Sequence, residues 1–448
     1  MDSSLNKPVR AAMLIKFALP TILSMLFMSI FGAIDGIFVS RLIGIGALAA
    51  VNLVFPFFTT VLAIASMLSM GGSALVAKKK GEGKIDEARQ NFTLIVMVAI
   101  GVSVVIVLVT QFFSDNLLAL LGVDYTMHGT ALLYLGPISL MAPFLILGMM
   151  LAQFMITDGR PTLGGIATVS GAVSNTVLNW IFIAQLDMGI AGAAWATGIG
   201  YSVPAIIGIC YFGFFRNKKG IHFVKPKWDF KAISKASTNG ISEFIAMIST
   251  SIVATVMNNR LMDMEGYTAV SAVGIVFAVM ALLNSAYMGY SFGIAPIISY
   301  NFGANETDRL KKAYSISLRV ILAMSLFALL VGFVFVGPLV RIYIDTSIAD
   351  NVPVYEMAVR GFRIVSIGFL FIGFNVFASS MFTALNNGLV SGILSVFRTL
   401  IFILTSVLVF SHLWGLTGVW VAIPFAEALA LVMSIFFFKK MKQRYKYA

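Results

Sequence analysis

The feature that most constrains this chain is the recurrence, from one end to the other, of apolar stretches of about 20 residues. At ~1.5 Å per residue each is long enough to cross a ~30 Å hydrocarbon layer as a helix. In that layer every backbone N–H and C=O must find its partner inside the protein, so such a chain folds as a bundle of membrane helices. Hydropathy places twelve spans, at approximately 11–38, 47–76, 91–113, 129–156, 163–185, 189–214, 236–258, 267–299, 315–338, 355–384, 389–411 and 416–438. The makeup agrees: 59% of residues are hydrophobic, 11% are charged and the mean hydropathy is +0.95, beyond what a soluble globular chain carries. The expected class is an all-α integral membrane protein.

The net charge of +12 falls mainly in alternate connections. With both termini on the cytoplasmic side, 25 of the 31 lysines and arginines lie in cytoplasmic segments, among them "KKKGEGKIDEAR" (Lys78 to Arg89) and the tail "KKMKQRYKYA". This is the positive-inside bias of a multi-pass protein of the cell (cytoplasmic) membrane. The basic balance is therefore topology. It argues against a nucleic-acid partner, because no basic stripe with interleaved aromatics exists outside these loops. Membrane lipids with acidic head groups are the expected partners of the tail. Met1 to Arg10 reads as mature sequence rather than a removed signal. Cys210 stands alone inside a span, which excludes an intrachain disulfide. His128, His222 and His412 are far apart near span ends, so no metal site is expected from them.

An internal repeat organises the spans. At an offset of 222, "GIGALAAVNLVFPF" (Gly44 to Phe57) meets "GYTAVSAVGIVFAV" (Gly266 to Val279) with six of fourteen positions identical, and Gly81 meets Gly303. At an offset of 226, "GIAGAAW" (Gly189 to Trp195) meets "GLTGVWV" (Gly415 to Val421). The near-constant offset implies two pseudo-symmetric six-helix bundles, residues 1–219 with spans 1 to 6 and residues 220–448 with spans 7 to 12. The basic linker "FFRNKKGIHFVKPKWDFK" (Phe214 to Lys231) lies between them. An even number of spans per half makes the repeat parallel, the arrangement of rocking transporters with a central cavity. A repeated scaffold or receptor without transport is the bland alternative.

No nucleotide engine is visible. In "KKKGEGKID" Ile85 stands where a phosphate-binding loop needs Ser or Thr, and no HExxH or GxSxG occurs. No cofactor and no enzymatic activity are expected, and uphill transport would run on an ion gradient. Ion coupling needs a titratable or cation-binding group inside the membrane. Asp35 is the first candidate: it lies ~9 Å short of Arg41 on a helix, within the outer half of the bilayer. Its alternative is an interfacial carboxylate snorkelling towards Arg41. Pro20, fifteen residues earlier, removes a backbone donor and is a candidate bending point, or a static kink. Asn175 and Asn179 lie one turn apart on the fifth span, and Thr197 on the sixth. Such residues either glue helices or coordinate a cation and hydrogen-bond a protonated acid. The second half offers Glu243, Glu427 and Arg398, with Arg398 expected to neutralise Glu427. Asn258 stands near the place that matches Asp35 in the repeat. Asp158, Asp187, Asp263 and Glu265 fall in expected loops and read as solvated.

On the first-span proline followed by "DGIFVSRL", on "GGSALVAKKKGEGKIDEA", "APIISYNFGANETDRLKKA" and "GLTGVWVAIPFAEAL", the chain resembles the multidrug and toxic compound extrusion family over essentially its whole length. It is most similar to the branch of small bacterial multidrug exporters. The resemblance implies a V-shaped pair of lobes and export of amphipathic organic cations in exchange for protons or sodium ions. It also implies that Asp35 carries the coupling ion, proton or sodium, beside Asn175 and Thr197. The chain departs from the family at Asn179, where many members have aspartate, so the site holds one carboxylate rather than two. A lipid-linked precursor flippase of the related superfamily is the alternative; it needs cations facing the cavity, and Arg398, Arg360 and Arg363 are the candidates. A monomer is expected.

Overall fold

The computed structural model describes residues 5, 7–214, 220–344 and 346–448, and their side chains except at 33, 37, 40, 41, 45, 267 and 350. The expected division at 219/220, with Arg216, Lys218 and Lys219, and the Arg41 side chain thus fall at or outside the limits of the described residues. The described chain is helical, without strands. In the first half α1 (Ala11–Phe38), α2 (Ile45–Gly81), α3 (Ile85–Phe112), α4 (Ser114–Leu120), α5 (Tyr125–Leu140), α6 (Ala142–Thr157), α7 (Pro161–Asn179) and α8 (Gly189–Phe214) follow one another. The second half holds α9 (Phe230–Gly303), α10 (Thr307–Val334), α11 (Val336–Arg341), α12 (Val352–Ser366), α13 (Phe369–Ala384), α14 (Gly388–Val396) and α15 (Ile403–Tyr445).

Nine helical stretches among the described residues are long and apolar enough to cross a membrane, or up to eleven when two bent pairs count as spans. Those pairs are α5 with α6, bent by 49°, and α12 with α13, bent by 57°. The stretch Gly388–Tyr445 has 58 residues and would rise ~87 Å as one helix, far more than one crossing requires. It breaks at Trp414 and Gly415, where the backbone leaves helical values, and its two parts bring the crossings to twelve. Lipid exposure explains otherwise costly surfaces: Val105, Leu108 and Phe112 on α3, and Leu326, Phe327 and Leu330 on α10, are all exposed.

The breaks between spans sit on the repeat. Gly44 (φ 122°), Gly266 (φ 65°), Gly189 (φ 56°) and Gly415 (φ 58°) all adopt positive φ, a region glycine enters without a Cβ penalty. These are the four glycines that the two sequence offsets pair. Each ends one span and starts the next with almost no loop, so α9, 74 residues long, is two spans meeting at Gly266.

The connections that contain α4 and α11 lie at the same end as these glycine breaks; those after α2, α6, α8, α9 and α13 gather at the other end, which carries the basic segments. There the halves share a buried cluster: Leu14, Phe17 and Met70 pack with Tyr290, Ile297 and Phe377. Away from it one core forms around Leu135 and Ile183 in the first half, joined by Ala232 and Ala236 of α9, and another around Val273 and Phe369 in the second. The two bundles are joined at this end, and α2 and α9 also touch further along, where Thr59 Oγ1 lies 3.4 Å from Ser251 Oγ.

Asp158 corrects the expectation of a solvated loop residue. Its side chain is 2% exposed and its Oδ1 lies 2.8 Å from the Lys80 Nζ, itself 5% exposed. The Tyr211 hydroxyl donates to Asp158 Oδ2 at 2.9 Å, and the Ile221 backbone N–H donates to Oδ1 at 2.8 Å. Buried carboxylates persist when each lone pair is engaged in this way. The clamp seats residues 220–224 on the first half, with the Phe223 ring 5.1 Å from Phe92 and 6.3 Å from Phe212. The second half repeats the slot with its own last residues: Tyr447 lies 5.1 Å from Tyr314 and 6.0 Å from Phe438.

Replacing Lys80 by Met leaves Asp158 charged, buried and without its cation, at a cost of about 3–5 kcal/mol. Thermal unfolding in detergent should register the loss, whereas Lys84→Met, at a side chain 52% exposed, should stay within ~0.5 kcal/mol of wild type.

Candidate functional site

The site is assembled by the crossing of three helices of the first half. α1 runs unbroken through Pro20 and carries Asp35 in its last turn. α7 ends at Asn179, after which Trp180–Gln185 continues in wider π turns; such insertions re-aim side chains and recur at functional positions. α8 supplies Thr197. α7 and α8 come close because neither has a side chain at the crossing: a Cβ on Gly171 would stand 2.6 Å from the Gly200 carbonyl oxygen, and one on Gly200 would stand 2.7 Å from the Asn175 Cβ. That approach brings Asn175 to Thr197.

Four expected residues therefore meet. Asn179 Nδ2 donates to Asp35 Oδ1, Asn175 Nδ2 donates to Thr197 Oγ1 at 3.3 Å, and Asn175 also interacts with the Asp35 carboxylate. Asn179 is fully buried and Thr197 nearly so, at 8% exposure. The Asn179 Oδ1 is buried and has no hydrogen-bond partner. Among the described residues no cation pairs with Asp35, so its charge is met by neutral amides. Two further residues stand near enough to feel the Asp35 charge, Tyr134 on α5 and Tyr201 on α8. The sequence reading missed both. Tyr201 lies one turn after Thr197 on the same face, a signal that was available; Tyr134 comes from a distant span and carried none.

The second half builds a different polar cluster. Arg398 Nε donates to both Glu427 carboxylate oxygens at 3.0 Å. Asn375 Nδ2 donates to Glu427 Oε2 at 2.8 Å, and Ser434 Oγ donates to Asn375 Oδ1 at 2.9 Å. Arg398 projects from the π turns Phe397–Phe402 that follow α14. Glu243 on α9 is buried, at 8% exposure, and lies within the field of Arg398. Asn258 does not join this cluster. It is exposed and lies fifteen residues beyond Glu243 on the same helix, ~22 Å along its axis, so its place in the repeat is not a place in the site. Among the described residues, no group of three or more His, Cys, Asp or Glu is gathered to hold a metal ion.

A family model described as MatE matches the chain twice, over residues 20–181 and 241–408. The Multidrug export protein MepA of Staphylococcus aureus (strain N315) is 26% identical over 444 residues, covering 98% of this chain and 95% of the relative. The protein of that name in Staphylococcus haemolyticus (strain JCSC1435) is 25% identical over 437 residues, covering 96% and 93%. A solved structure described as MATE in complex with MaL6 matches with a TM-score of 0.93 at 21% identity over 99% of both chains. One described as the outward-facing conformation of a multidrug resistance MATE family transporter matches at 0.92, with 21% identity over 99% and 98%. At that identity the structural likeness is one of fold.

Gly200→Ala should force α7 and α8 apart and separate Asn175 from Thr197. Overpacking of this kind costs ~1–3 kcal/mol, readable as a lowered unfolding temperature, whereas Gly101→Ala, whose Cβ would meet open space, should not lower it.

Proposed function

The chain belongs to the MatE family, and on that basis we propose that it is a secondary active exporter of amphipathic organic cations, driven by protons entering in exchange, with sodium as the alternative coupling ion. The name of the MepA relatives, Multidrug export protein, supports the export of drugs. The observation that carries the coupling is the pairing of Asp35 with Asn179. A carboxylate inside the hydrocarbon layer costs ~2.5–3.5 kcal/mol or more when charged, and taking up a proton removes that cost. The charged carboxylate accepts from the Asn179 amide nitrogen. The protonated acid needs an acceptor instead, and a rotation of the amide about its last bond presents the otherwise unpartnered Oδ1. Asparagine therefore serves both charge states, which a second carboxylate does not. Oxygens of Asp35, Asn175, Asn179 and Thr197 would also suit a sodium ion.

In this reading the basic end faces the cytoplasm, as the positive-inside rule expects, with both termini there, and the cavity between lobes 1–219 and 220–448 opens outward. The ion enters from that side, Asp35 is neutralised, and α1 bends at Pro20, where the helix lacks a backbone donor. The bend closes the part of the cavity that held the drug, and the drug leaves. Met and aromatic side chains suit an adaptable lining. Glu243 is the candidate second acid, because Glu427 is engaged by Arg398 and Asn375. The same ion pair weakens the flippase reading, since it neutralises the deepest cation of the second half. Exposed Lys442, Arg444 and Lys446 suit acidic lipid head groups at the cytoplasmic face, and one chain suffices for the mechanism.

Ethidium efflux from energised vesicles, with proton and sodium gradients imposed separately, tests the reading. Asp35→Asn should lower ion-driven efflux at least tenfold, a loss of ~1.4 kcal/mol or more in the driven step; undiminished efflux would overturn the mechanism. Stimulation by sodium at constant pH would assign sodium. Asn179→Leu, which removes both donor and acceptor, should impair efflux much as Asp35→Asn does, and Glu243→Gln should impair it less.

A further inference from the structure

At the basic end the two halves meet backbone to backbone, and the contact is reciprocal. A Cβ on Gly81, the last residue of α2, would overlap the Tyr300 carbonyl oxygen and lie 2.9 Å from the Ala304 nitrogen. A Cβ on Gly303, the last residue of α9, would overlap the Lys78 carbonyl oxygen and lie 3.0 Å from the Lys78 Cα. Gly81 and Gly303 are partners in the 222-residue repeat, and so are Lys78 and Tyr300. The approach thus obeys the same two-fold relation as the fold. Ten residues earlier α2 meets the start of α9: a Cβ on Gly71 would overlap the Ala236 carbonyl oxygen, 2.6 Å from the Gly240 nitrogen. A Cβ on Gly240 would overlap the Met67 carbonyl oxygen, 3.0 Å from the Gly71 nitrogen.

These contacts do not stand alone. At the same end Gln153 Nε2 on α6 donates to the Phe292 carbonyl at 3.4 Å, and Asn386 Nδ2, between α13 and α14, donates to the Ala74 carbonyl at 3.2 Å. Both bonds cross between halves, and both carbonyls are helix backbone groups that a displaced helix would withdraw.

We propose that Gly71, Gly81, Gly240 and Gly303 are positioning residues of the transport cycle, whose missing side chains allow the halves to close at the basic end and so set the balance between the two access states. The proposal rests on the transport reading above. A methyl group at any of them collides while this end is closed and meets nothing once the halves have parted there. The added group therefore acts differentially on the two states, which is the condition for shifting their populations. Global unfolding gives no such preference for one open end over the other.

The test places spin labels at Asp86→Cys and Asp308→Cys for the basic end, and at Leu120→Cys and Ile342→Cys for the opposite end, each pair related by the 222-residue repeat, with Cys210→Ser as background. Distances are read by pulsed electron paramagnetic resonance on the full chain in lipid nanodiscs. Gly81→Ala and Gly303→Ala should each add or enlarge a longer 86–308 population and shorten 120–342, and Gly240→Ala should do so from the separate crossing. Gly101→Ala should change neither distance. Distributions for all three variants that match Gly101→Ala would overturn the proposal. Having variants at two crossings keeps the result from depending on one substitution that fails to fold. Failure of the transport reading shows elsewhere, as wild-type vesicles without ion-driven efflux, and is separate from the outcome of the distances.

Discussion

Everything in this molecule follows from a solvent that accepts no hydrogen bonds. Within the hydrocarbon layer a backbone group must be paired by its own helix, so a tight turn between two spans needs a helix that can stop within a residue or two. Gly44, Gly189, Gly266 and Gly415 supply those stops with positive φ, and Asp187, also at positive φ, sits beside one of them. With those turns fixed, the long helices fold back as pairs, the pairs form two bundles, and the connections after α2, α6, α8, α9 and α13 are left at the other end. Charge follows the same division, since the lysines and arginines of those connections need water.

The same solvent dictates the chemistry of the two polar clusters. In the second half the carboxylate of Glu427 is balanced by Arg398 and held by Asn375, so charge and hydrogen bonds are both satisfied. In the first half Asp35 has amides and hydroxyls around it, and the burial of Asn179 keeps water from competing for it. One cluster is arranged to stay as it is; the other leaves a proton or a cation something to do. π turns lie beside both, after Asn179 and around Arg398, and in each case the irregular turn points the polar group inward from a helix otherwise facing apolar neighbours.

Much of this was legible in the sequence because hydropathy, the repeat and charge asymmetry are local or periodic signals. Asp35, Asn175, Asn179 and Thr197 could be singled out as polar residues in apolar runs, and three of them meet through one-turn spacing or adjacent spans. The failures have a common cause. Asp158 follows a span and precedes "GRP", which reads as a wet turn, yet its lone pairs are taken by Lys80, Tyr211 and Ile221 from three other parts of the chain. Tyr134 and Asn375 resemble ordinary span residues until helices distant in sequence are packed against them. Asn258 failed in the other direction: the repeat places it near the counterpart of Asp35, but that part of α9 buries Met257 and Leu261 and leaves Asn258 on the exposed face. Periodicity reports which face a residue occupies; it does not report what the facing helix brings.

The docked ends of the two halves have an architectural consequence. Residues 220–224 fill the slot by Phe92 and Phe212, and Tyr447 fills the equivalent slot by Tyr314 and Phe438, so each half has tucked in its own final residues. The seam at Gly81 and Gly303 is isologous in the sense used for two-fold dimers, each partner presenting the same patch to the other. Residues 220–224 and Tyr447 thus occupy matching slots in the two halves, and the seam between the halves is self-complementary. Seen this way the chain is arranged like a two-fold dimer whose halves are tied one to one by the linker, with Asp35 unpaired by any cation in one half and Glu427 paired with Arg398 in the other among the described residues.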